Sequence, residues 1–389
     1  MRIAYLNPQA VPDTLPSTLQ ILQTVEALGL AGVQVDLVTP QARNGHTVAS
    51  LLGRALPPQV QLHPLPDYRK RWFFPFASHR PFYWQAVRWL RQHPVDAVYV
   101  RNLKLAEVLL RAFSSRLPIF FETHELFAQT LAEQLPEAAR AQHRKLLALR
   151  AREGKVYREV KGLITITQTL LDDIRAEYAL ETPAWVAPDG VDLTLARQVA
   201  PREQGDRPLP VLLYLGSLHP WKGVDALVEA MTQVASAELW VAGGGAERLA
   251  ALQQRAAQLG ISHRIRWLGF VPPRERFTLI AQADICVLPL SATSIGSRYT
   301  SPLKLFEYMA MGKPVLVRDV PAIREVITHG ENGYLYTDEA HLPTAIQALL
   351  SQPEQWPALG KAAAESAQHY AWSCRAEGII RFMKSVVSA

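Results

Sequence analysis

Residues 301–317, SPLKLFEYMAMGKPVLV, join a helical pattern to a strand pattern. Ser301 is a residue type that caps helices, and Pro302 suits the first helical position because no bonded N–H is needed there. Gly312 predicts the end of the helix, since glycine adopts the left-handed conformation that commonly ends one. The stretch therefore predicts a helix of about ten residues that leads directly into a buried strand.

The same alternation of strands and helices extends along the rest of the chain. Apolar runs rich in β-branched residues predict strands at residues 2–7, 33–39, 97–102, 118–123, 163–167, 184–189, 211–216, 238–244, 265–270, 285–290 and 314–319. Strands that alternate with helices form parallel sheets covered on both faces. We therefore predict an α/β protein with two doubly wound, Rossmann-like domains that face each other across a cleft.

The length of 389 residues suits two domains. We predict an N-terminal domain at residues 1–192, an interdomain linker at 193–210 and a C-terminal domain at 211–371. The linker is placed where prolines and charges occur without strong periodicity. Residues 372–389 show a helical pattern.

The composition, with 49% hydrophobic and 20% charged residues, is that of a soluble globular protein. The two cysteines form neither a disulfide framework nor a metal-ligand spacing. The N-terminal residues lack the layout of a signal peptide, and no run of eighteen apolar residues occurs. We therefore predict a cytoplasmic protein, unless it lies peripherally on the inner face of a membrane.

Residues 69–91 contain six basic residues, no acidic ones and eight aromatic ones, in a chain of net charge +6. One interpretation is an anionic membrane surface as partner, because aromatic rings lie at headgroup depth and cations meet anionic lipids. The other is that most of the rings pack in the core and the cations are solvated. Nucleic acid is not expected as a partner, since no recognition motif occurs.

The start of the helix predicted at residue 302 favours an anionic ligand. The backbone N–H groups of Leu303 and Lys304 have no partner within the helix, and the helix dipole adds positive potential there. Glu307 lies on the same face about one turn, or about 5.4 Å, further along. That step is comparable to the step from the diphosphate to the ribose diol of a nucleotide. The alternative is that Glu307 is solvated and Ser-Pro only caps the helix.

Several stretches resemble, in the same order along the chain, segments of family 4 of the retaining glycosyltransferases, which have the GT-B fold. The strongest resemblance is that of residues 301–336, SPLKLFEYMAMGKPVLVRDVPAIREVITHGENGYLY. The others are FFETHELF (120–127), APDGVD (187–192), YLGSLHPWKGVDALVEAM (214–231), WVAGGGAERLAAL (240–252) and WLGFVPPRERFTLIAQADICVLPL (267–290). The resemblance covers most of the chain. It implies an acceptor-binding N-terminal domain, a C-terminal domain that binds a nucleotide sugar, and a C-terminal helix that crosses back to the N-terminal domain. The alternative for residues 372–389 is a helix that only caps the second domain.

The resemblance also implies the donor-binding residues. Glu307 corresponds to the second glutamate of the family's Glu-x7-Glu motif, which binds ribose, whereas Tyr299 replaces the first glutamate. Lys222 corresponds to the lysine that binds the diphosphate. Ser217 replaces its usual partner arginine, and we hypothesise that Arg298 supplies the missing charge. The further donor-binding positions are Thr300, Ser301, Leu303, Lys304, Gly243, Phe270 and Val271. The alternative for Gly243 is that residues 243–245 are turn glycines rather than a phosphate-binding loop.

His124 follows a predicted strand at its carboxyl end, and the resemblance implies that it binds the donor sugar or the acceptor. With Lys222 and Glu307 it completes the predicted catalytic set. A histidine at a strand end can also be a packing or capping residue. Weaker predictions for the acceptor side are Asn7, Pro16, Ser17 and Arg101.

The resemblance implies the transfer of a hexosyl group from a nucleotide sugar to a glycan or lipid-linked hydroxyl group. UDP is favoured over GDP only because it is the more frequent nucleotide in the family. The resemblance implies retention by same-face attack with the leaving diphosphate as base. This agrees with a sequence that shows no carboxylate pair matched for a double displacement. No metal is expected, since cations replace an Asp-x-Asp motif, and no cofactor is expected. The alternatives are a nucleotide-sugar epimerase of the same fold and a non-catalytic subunit that binds nucleotide or glycan.

Overall fold

The computed structural model describes residues 1–13, 15–72, 74–113, 116–200 and 207–388. The chain forms two compact units. The first contains Met1–Pro188 together with the C-terminal segment from Trp372, and the second contains Asp189–Ala371.

The first unit is built on a parallel sheet of seven strands. The strands are β1 (Arg2–Leu6), β2 (Gln34–Pro40), β3 (Val60–Leu65), β4 (Ala97–Val100), β5 (Ile119–Thr123), β6 (Gly162–Thr165) and β7 (Ala184–Val186). Their order in the sheet is β3-β2-β1-β4-β5-β6-β7. The order reverses between β1 and β4, and such a point is where doubly wound sheets bind ligands. Strands β4 and β5 are buried along their whole length because helices cover both faces.

The part of the first unit that precedes Asp189 has the helices α1 (Pro16–Leu30), α2 (Val48–Leu52), α3 (Arg80–Gln92), α4 (Leu103–Phe113), α5 (Phe127–Glu133), α6 (Glu137–Arg140), α7 (Arg144–Glu159) and α8 (Gln168–Tyr178). They connect successive parallel strands, as this topology requires. The N-terminus of α5 is held by the buried Glu153 of α7, whose carboxylate accepts hydrogen bonds from the backbone N–H groups of Phe127 and Ala128.

The second unit is built on a parallel sheet of six strands. These are β8 (Val211–Leu215), β9 (Glu238–Ala242), β10 (Ile265–Gly269), β11 (Ile285–Leu288), β12 (Val315–Arg318) and β13 (Tyr334–Tyr336), in the order β10-β9-β8-β11-β12-β13. Its helices are α9 (Leu193–Gln198), α10 (Val224–Ala230), α11 (Ala246–Gln258), α12 (Arg276–Gln282), α13 (Ser294–Ser297), α14 (Leu303–Ala310), α15 (Pro321–Arg324), α16 (Leu342–Leu350) and α17 (Trp356–Ala367). The order reverses between β8 and β11, so the loops that follow these two strands flank the expected ligand crevice.

The predicted strands are all present within two residues of their predicted bounds, except that β7 ends three residues early, at Val186 instead of residue 189. Strands β3 and β13 were missed. Strand β3 contains His63 and Pro64, and a proline is tolerated there because β3 lies at the edge of its sheet. Strand β13 is an edge strand of three residues, too short to give a periodic signal. Strand β3 was therefore missed because of its edge position and composition, and β13 because of its length. Neither omission changes the predicted fold class.

The segment predicted as a linker, 193–210, contains helix α9, which belongs to the second unit. The division between the units falls just before it, between Pro188 and Asp189. Residues 201–206 of the predicted linker lie outside the described residues. The last helix, α18 (Trp372–Ser388), belongs to the first unit and packs on α1.

Candidate nucleotide-binding site

Helix α14 begins one residue later than the sequence suggested. Pro302 is the N-cap rather than the first helical residue, and no side chain of the described residues caps this helix. The predicted capping role of Ser301 is wrong, because its hydroxyl oxygen accepts a hydrogen bond of 2.8 Å from the backbone N–H of Asp189 instead. With no capping side chain, the first amides of the helix remain available to a ligand. Gly312, with φ of +63°, follows the end of the helix as predicted.

Glu307 lies on the buried side of α14 and is only 8% exposed. Its Oε1 atom is 3.3 Å from Nη1 of Arg276, the first residue of α12. A carboxylate fixed in this way by a cation can still accept hydrogen bonds at its remaining lone pairs. The alternative that Glu307 is a solvated surface residue does not fit this burial. Arg276 was not predicted, because it is far from Glu307 in sequence.

The loop that follows β8 approaches its neighbours so closely that glycine is required. A Cβ atom on Gly243, whose φ is +114°, would lie 2.1 Å from the carbonyl oxygen of Gly216. A Cβ atom on Gly223, whose φ is +73°, would lie 1.5 Å from the carbonyl oxygen of Pro289. Gly243 therefore permits close packing of two strand ends. Gly223 brings the loops after β8 and β11 together at the reversal of strand order.

Lys222 ends a single helical turn, Pro220–Lys222, in this loop. The Lys222 ammonium is 3.6 Å from the centre of the Trp221 ring. Burial lowers the pKa of Lys222 to about 8, while the charge of Asp189 acts in the opposite direction. Lys222 is thus a partly buried cation whose charge changes within the ordinary range of assay pH.

Lys304 is the second residue of α14, and its side chain points into the protein rather than into solvent. The residue is 8% exposed, and its Nζ atom is 3.9 Å from the centre of the Tyr214 ring. Burial, followed by the charge of Lys222, holds the pKa of Lys304 well below its ordinary value, and Glu307 acts in the opposite direction. Lys222, Lys304 and Glu307 are therefore close enough to influence one another electrostatically.

The remaining predicted donor residues are spread around this cluster. Arg298 follows α13, and its backbone N–H donates to the carbonyl oxygen of Ser294. Tyr299 and Thr300 are buried, whereas Phe270 is 61% exposed. Val271 packs against the core of the second unit, and the carbonyl oxygen of Ser217 accepts a hydrogen bond from the Tyr214 hydroxyl. The structure thus links Lys222, Lys304, Ser301 and Glu307 to one region, and the roles of the other residues stay predictions.

In the first unit, His124 follows β5 and belongs to a buried ionic network. Its Nε2 atom hydrogen-bonds Glu122, and its Nδ1 atom is 3.2 Å from Nη2 of Arg101. Arg375 of α18 donates to the other carboxylate oxygen of Glu122 at 2.7 Å, and Tyr99 also donates to this carboxylate. Sequence reasoning missed Glu122 and Arg375, because no local pattern marks a contact between residues 253 positions apart.

The charges of this network fix the protonation states. Burial alone would raise the pKa of Glu122, but the charge of Arg375, the hydrogen bond from His124 and the charge of Arg101 lower it well below its ordinary value. Burial and the charge of Arg101 lower the pKa of His124 to about 4. His124 is therefore a neutral imidazole at neutral pH.

The weaker acceptor-side predictions fall around the same sheet edge. Strands β1, β4 and β5 are neighbours, so the residues after them, Asn7, Arg101 and His124, lie at one edge of the sheet. The Asn7 amide donates to the carbonyl oxygen of Gln9 at 3.0 Å, and the Ser17 hydroxyl donates to the Gln9 side chain at 3.3 Å. Pro16 is the exposed first residue of α1. No ligand contact follows from these bonds alone.

Comparisons with known proteins agree with this architecture. A family model described as Glycosyltransferase Family 4 matches residues 19–195, and one described as Glycosyl transferases group 1 matches residues 209–352. Over 212 residues the chain is 30% identical to the D-inositol 3-phosphate glycosyltransferase of Nocardia farcinica, covering 50% of this chain and 46% of that protein. Over 220 residues it is 31% identical to the phosphatidyl-myo-inositol mannosyltransferase of Mycobacterium leprae, covering 54% of this chain and 56% of that protein.

The chain thus spans about half the length of the curated relatives it matches. Among solved structures, Anabaena Alr3699/HepE in complex with UDP superposes with a TM-score of 0.75 at 18% identity, covering 99% of this chain and 100% of that one. The two parallel-sheet units therefore have the GT-B fold, which confirms the predicted fold class. The chain belongs to family 4 of the glycosyltransferases, as its sequence motifs indicated.

Proposed function

We propose that this protein is a retaining glycosyltransferase that moves a sugar, most simply a hexosyl group, from a nucleoside diphosphate sugar to an acceptor hydroxyl group. The observation that carries the proposal is the uncapped start of α14, with Lys222 beside it and the buried Glu307 one turn further along. The amides and Lys222 would bind the diphosphate, and Glu307 would accept hydrogen bonds from the ribose hydroxyl groups.

The chemistry of the proposed reaction is stabilisation of a leaving group. Negative charge grows on the diphosphate as the glycosidic bond breaks, and fixed cations and amides lower the energy of that state. The acceptor hydroxyl attacks from the face that the diphosphate leaves, and a phosphate oxygen takes its proton. His124, held neutral and oriented by Glu122, would position the sugar or the acceptor by hydrogen bonding rather than by giving up a proton.

We propose that no metal ion takes part, because cations of the protein occupy the diphosphate side of the site. Among the described residues, no group of three or more His, Cys, Asp or Glu side chains is placed to hold a metal. UDP is proposed over GDP as the nucleotide, and the UDP complex of the superposed Anabaena protein supports this choice.

The acceptor is proposed to be a glycan or a lipid-linked molecule, with residues 69–91 meeting an anionic membrane surface. Of the aromatic residues there, Trp72, Phe76 and Trp84 are exposed, whereas Phe82, Tyr83 and Trp89 are buried in the core. Phe73 lies outside the described residues. The exposed rings are available to a membrane surface, whereas the buried rings pack in the core as the alternative interpretation predicted. No helix in the described part of the chain is long and apolar enough to cross a membrane.

A basic groove between α3 and α4 supports the membrane proposal. It has a volume of about 770 Å³ and is lined by apolar atoms of Trp84, Val87 and Val108 and by arginines that include Arg88 and Arg91. Apolar walls under a rim of cations suit an anionic lipid. The named substrate of the Mycobacterium leprae relative, a phosphatidylinositol, has that character. Co-sedimentation with anionic vesicles that is absent or insensitive to salt would reject the proposed surface.

The proposed reaction is tested with a panel of UDP and GDP sugars, first by thermal shift and then by turnover in the presence of EDTA. We expect one nucleotide sugar to raise the melting temperature and to be consumed without added metal. Product of retained anomeric configuration is expected, and an inverted product would contradict the retaining assignment. Epimerisation of the donor without acceptor would indicate an epimerase, and binding without any turnover would indicate a non-catalytic subunit.

A further inference from the structure

The Lys304 side chain is buried without the partners that a buried cation needs. The residue is 8% exposed, and within the described residues its Nζ atom has no hydrogen-bond partner. The Nζ atom lies over the Tyr214 ring, 3.9 Å from the ring centre. A cation–π contact stabilises a desolvated cation by about 2 kcal/mol, which is less than the cost of burying an unpaired ammonium group.

Another lysine of the same unit, the half-buried Lys313, has a structural role that Lys304 can be compared with. Lys313 donates from Nζ to the carbonyl oxygens of Ala281 and Ala283, at 2.7 Å each. These bonds satisfy the ammonium group and tie α12 to the strand region that follows it. In the described parts of the chain no carbonyl oxygen accepts a hydrogen bond from Lys304 Nζ, so fixing a backbone segment does not explain its burial.

The Lys304 ammonium group lies next to the loop that follows β8. The Nζ atom lies 3.2 Å from the place that a Cβ atom of Gly216 would occupy. Gly216 is the first residue after β8, at the start of the loop that carries Lys222. Lys304 thus reaches from the binding helix to the loop on which the family's second diphosphate cation is expected, where this chain has Ser217.

The charges around Lys304 favour an anionic ligand. The groups that face it are Lys222 and Glu307, and Glu307 is already paired with Arg276. Asp189 acts on Lys222. The cluster contains three cationic side chains, those of Lys222, Lys304 and Arg276, and the two carboxylates of Glu307 and Asp189. The ion pair between Arg276 and Glu307 balances one charge of each sign, which leaves the two lysines with Asp189.

We propose that the Lys304 ammonium group binds the diphosphate of the nucleotide, in place of the cation that the chain lacks at position 217. This inference rests on the proposed function and names the residue that completes its diphosphate site. It replaces our hypothesis that Arg298 supplies the missing charge. The ammonium gains its hydrogen-bond acceptors when the ligand binds, and its burial beforehand is part of a site prepared for phosphate.

The test compares Lys304→Met with wild type by calorimetric titration with UDP and GDP and with the nucleosides uridine and guanosine. We expect Lys304→Met to weaken the binding of the diphosphate about 10- to 100-fold and to leave nucleoside binding unchanged, because the lost charge-assisted bonds are to phosphate. Lys361→Met, which removes the same charge from an exposed site on α17, is the matched control and should bind like wild type.

Two further variants separate charge from packing. Lys304→Gln is made in parallel, so that the test does not depend on the folding of one variant. Ser217→Arg is then added to Lys304→Met, and we expect it to restore most of the lost diphosphate affinity by supplying the charge from the loop side. Restoration would not occur if Lys304 served only to fill space.

Each outcome has one meaning. If wild type binds neither UDP nor GDP, the proposed function is wrong and this inference falls with it. If wild type binds one of them and both Lys304 variants bind it equally well, the inference alone is overturned. Equal losses for diphosphate and nucleoside would also overturn it, because they would show a role in the shape of the pocket.

Discussion

The protonation state of the Lys222 side chain depends on its burial and on nearby charges. Burial lowers its pKa to about 8 in the free protein. A bound diphosphate would raise that pKa, because an adjacent anion stabilises the protonated form. If Lys222 binds the diphosphate as proposed, binding should be favoured by a proton on Lys222. In the free protein that proton is present below about pH 8 and is lost as the pH rises through that value.

We predict that the affinity for UDP or GDP falls as the pH rises from about 7 to 9.5, by up to about tenfold per unit above the free pKa. In Lys222→Arg the fall should be smaller, because a guanidinium group keeps its charge over this range. Calorimetric titration of both proteins at several pH values measures this fall in affinity. An equal fall in both proteins would show that another group titrates.

The residues that sequence reasoning missed share one property, which is distance along the chain from their partners. Glu307 could be predicted because helix spacing places it one turn from two exposed amides. Arg276, which holds it, is 31 residues away, and Asp189 is 112 residues from the serine that its amide contacts. Such contacts are set by tertiary packing, and no local pattern in a single sequence encodes them.

At the scale of elements, the loop after β8 depends on glycine at a point of contact. A Cβ atom on Gly223 would lie 1.5 Å from the Pro289 carbonyl oxygen, so the loops after β8 and β11 could not keep their present approach. Gly260 provides a matched comparison, because its φ of +70° is similar to the +73° of Gly223. No atom that the structure describes, its chain neighbours aside, lies within 4 Å of the position that its Cβ atom would take.

We predict that Gly223→Ala destabilises the second unit by about 3 kcal/mol or more, from both backbone strain and overlap. Gly260→Ala should cost only about 1 kcal/mol, since strain alone applies. Urea denaturation measures both, and a folded Gly223→Ala should also bind nucleotide more weakly. Equal costs for the two variants would contradict the close approach of the loops.

Element type was predictable wherever a segment is central and long. The buried central strands have continuous apolar runs, and the helices between them have clear amphipathic patterns. The start of α14 was misplaced by one residue because the Ser301 hydroxyl is used by Asp189, a contact that capping rules do not consider. The edge strands β3 and β13 were missed because one contains polar residues and proline and the other is very short.

At the scale of the whole molecule, the last helix completes the first unit through a buried ion pair. Arg375 of α18 donates to Glu122 at 2.7 Å and to the carbonyl oxygen of Pro188 at 3.1 Å. It therefore connects the C-terminal helix, the strand end that precedes His124 and the last residue before the chain enters the second unit.

We predict that Arg375→Met destabilises the first unit by about 3 kcal/mol, because it leaves Glu122 buried with less compensation. Arg381→Met, at an exposed position of the same helix, should change stability by less than about 0.5 kcal/mol. The pKa of Glu122 is depressed in the folded protein, so the stability that it contributes is present above about pH 4.5 and lost as the pH falls. The difference between Arg375→Met and wild type should therefore narrow in acid, and a constant difference would contradict this role.

The most direct measurement of the proposed function is calorimetric titration of wild type and Glu307→Gln with UDP, GDP and the 2′,3′-dideoxy forms of both. If Glu307 binds the ribose diol, wild type should prefer the ribose form of its nucleotide by about tenfold, and Glu307→Gln should lose most of that preference while still binding the diphosphate. An equal preference in both proteins, or no binding of either diphosphate by wild type, would contradict a nucleotide site at the start of α14.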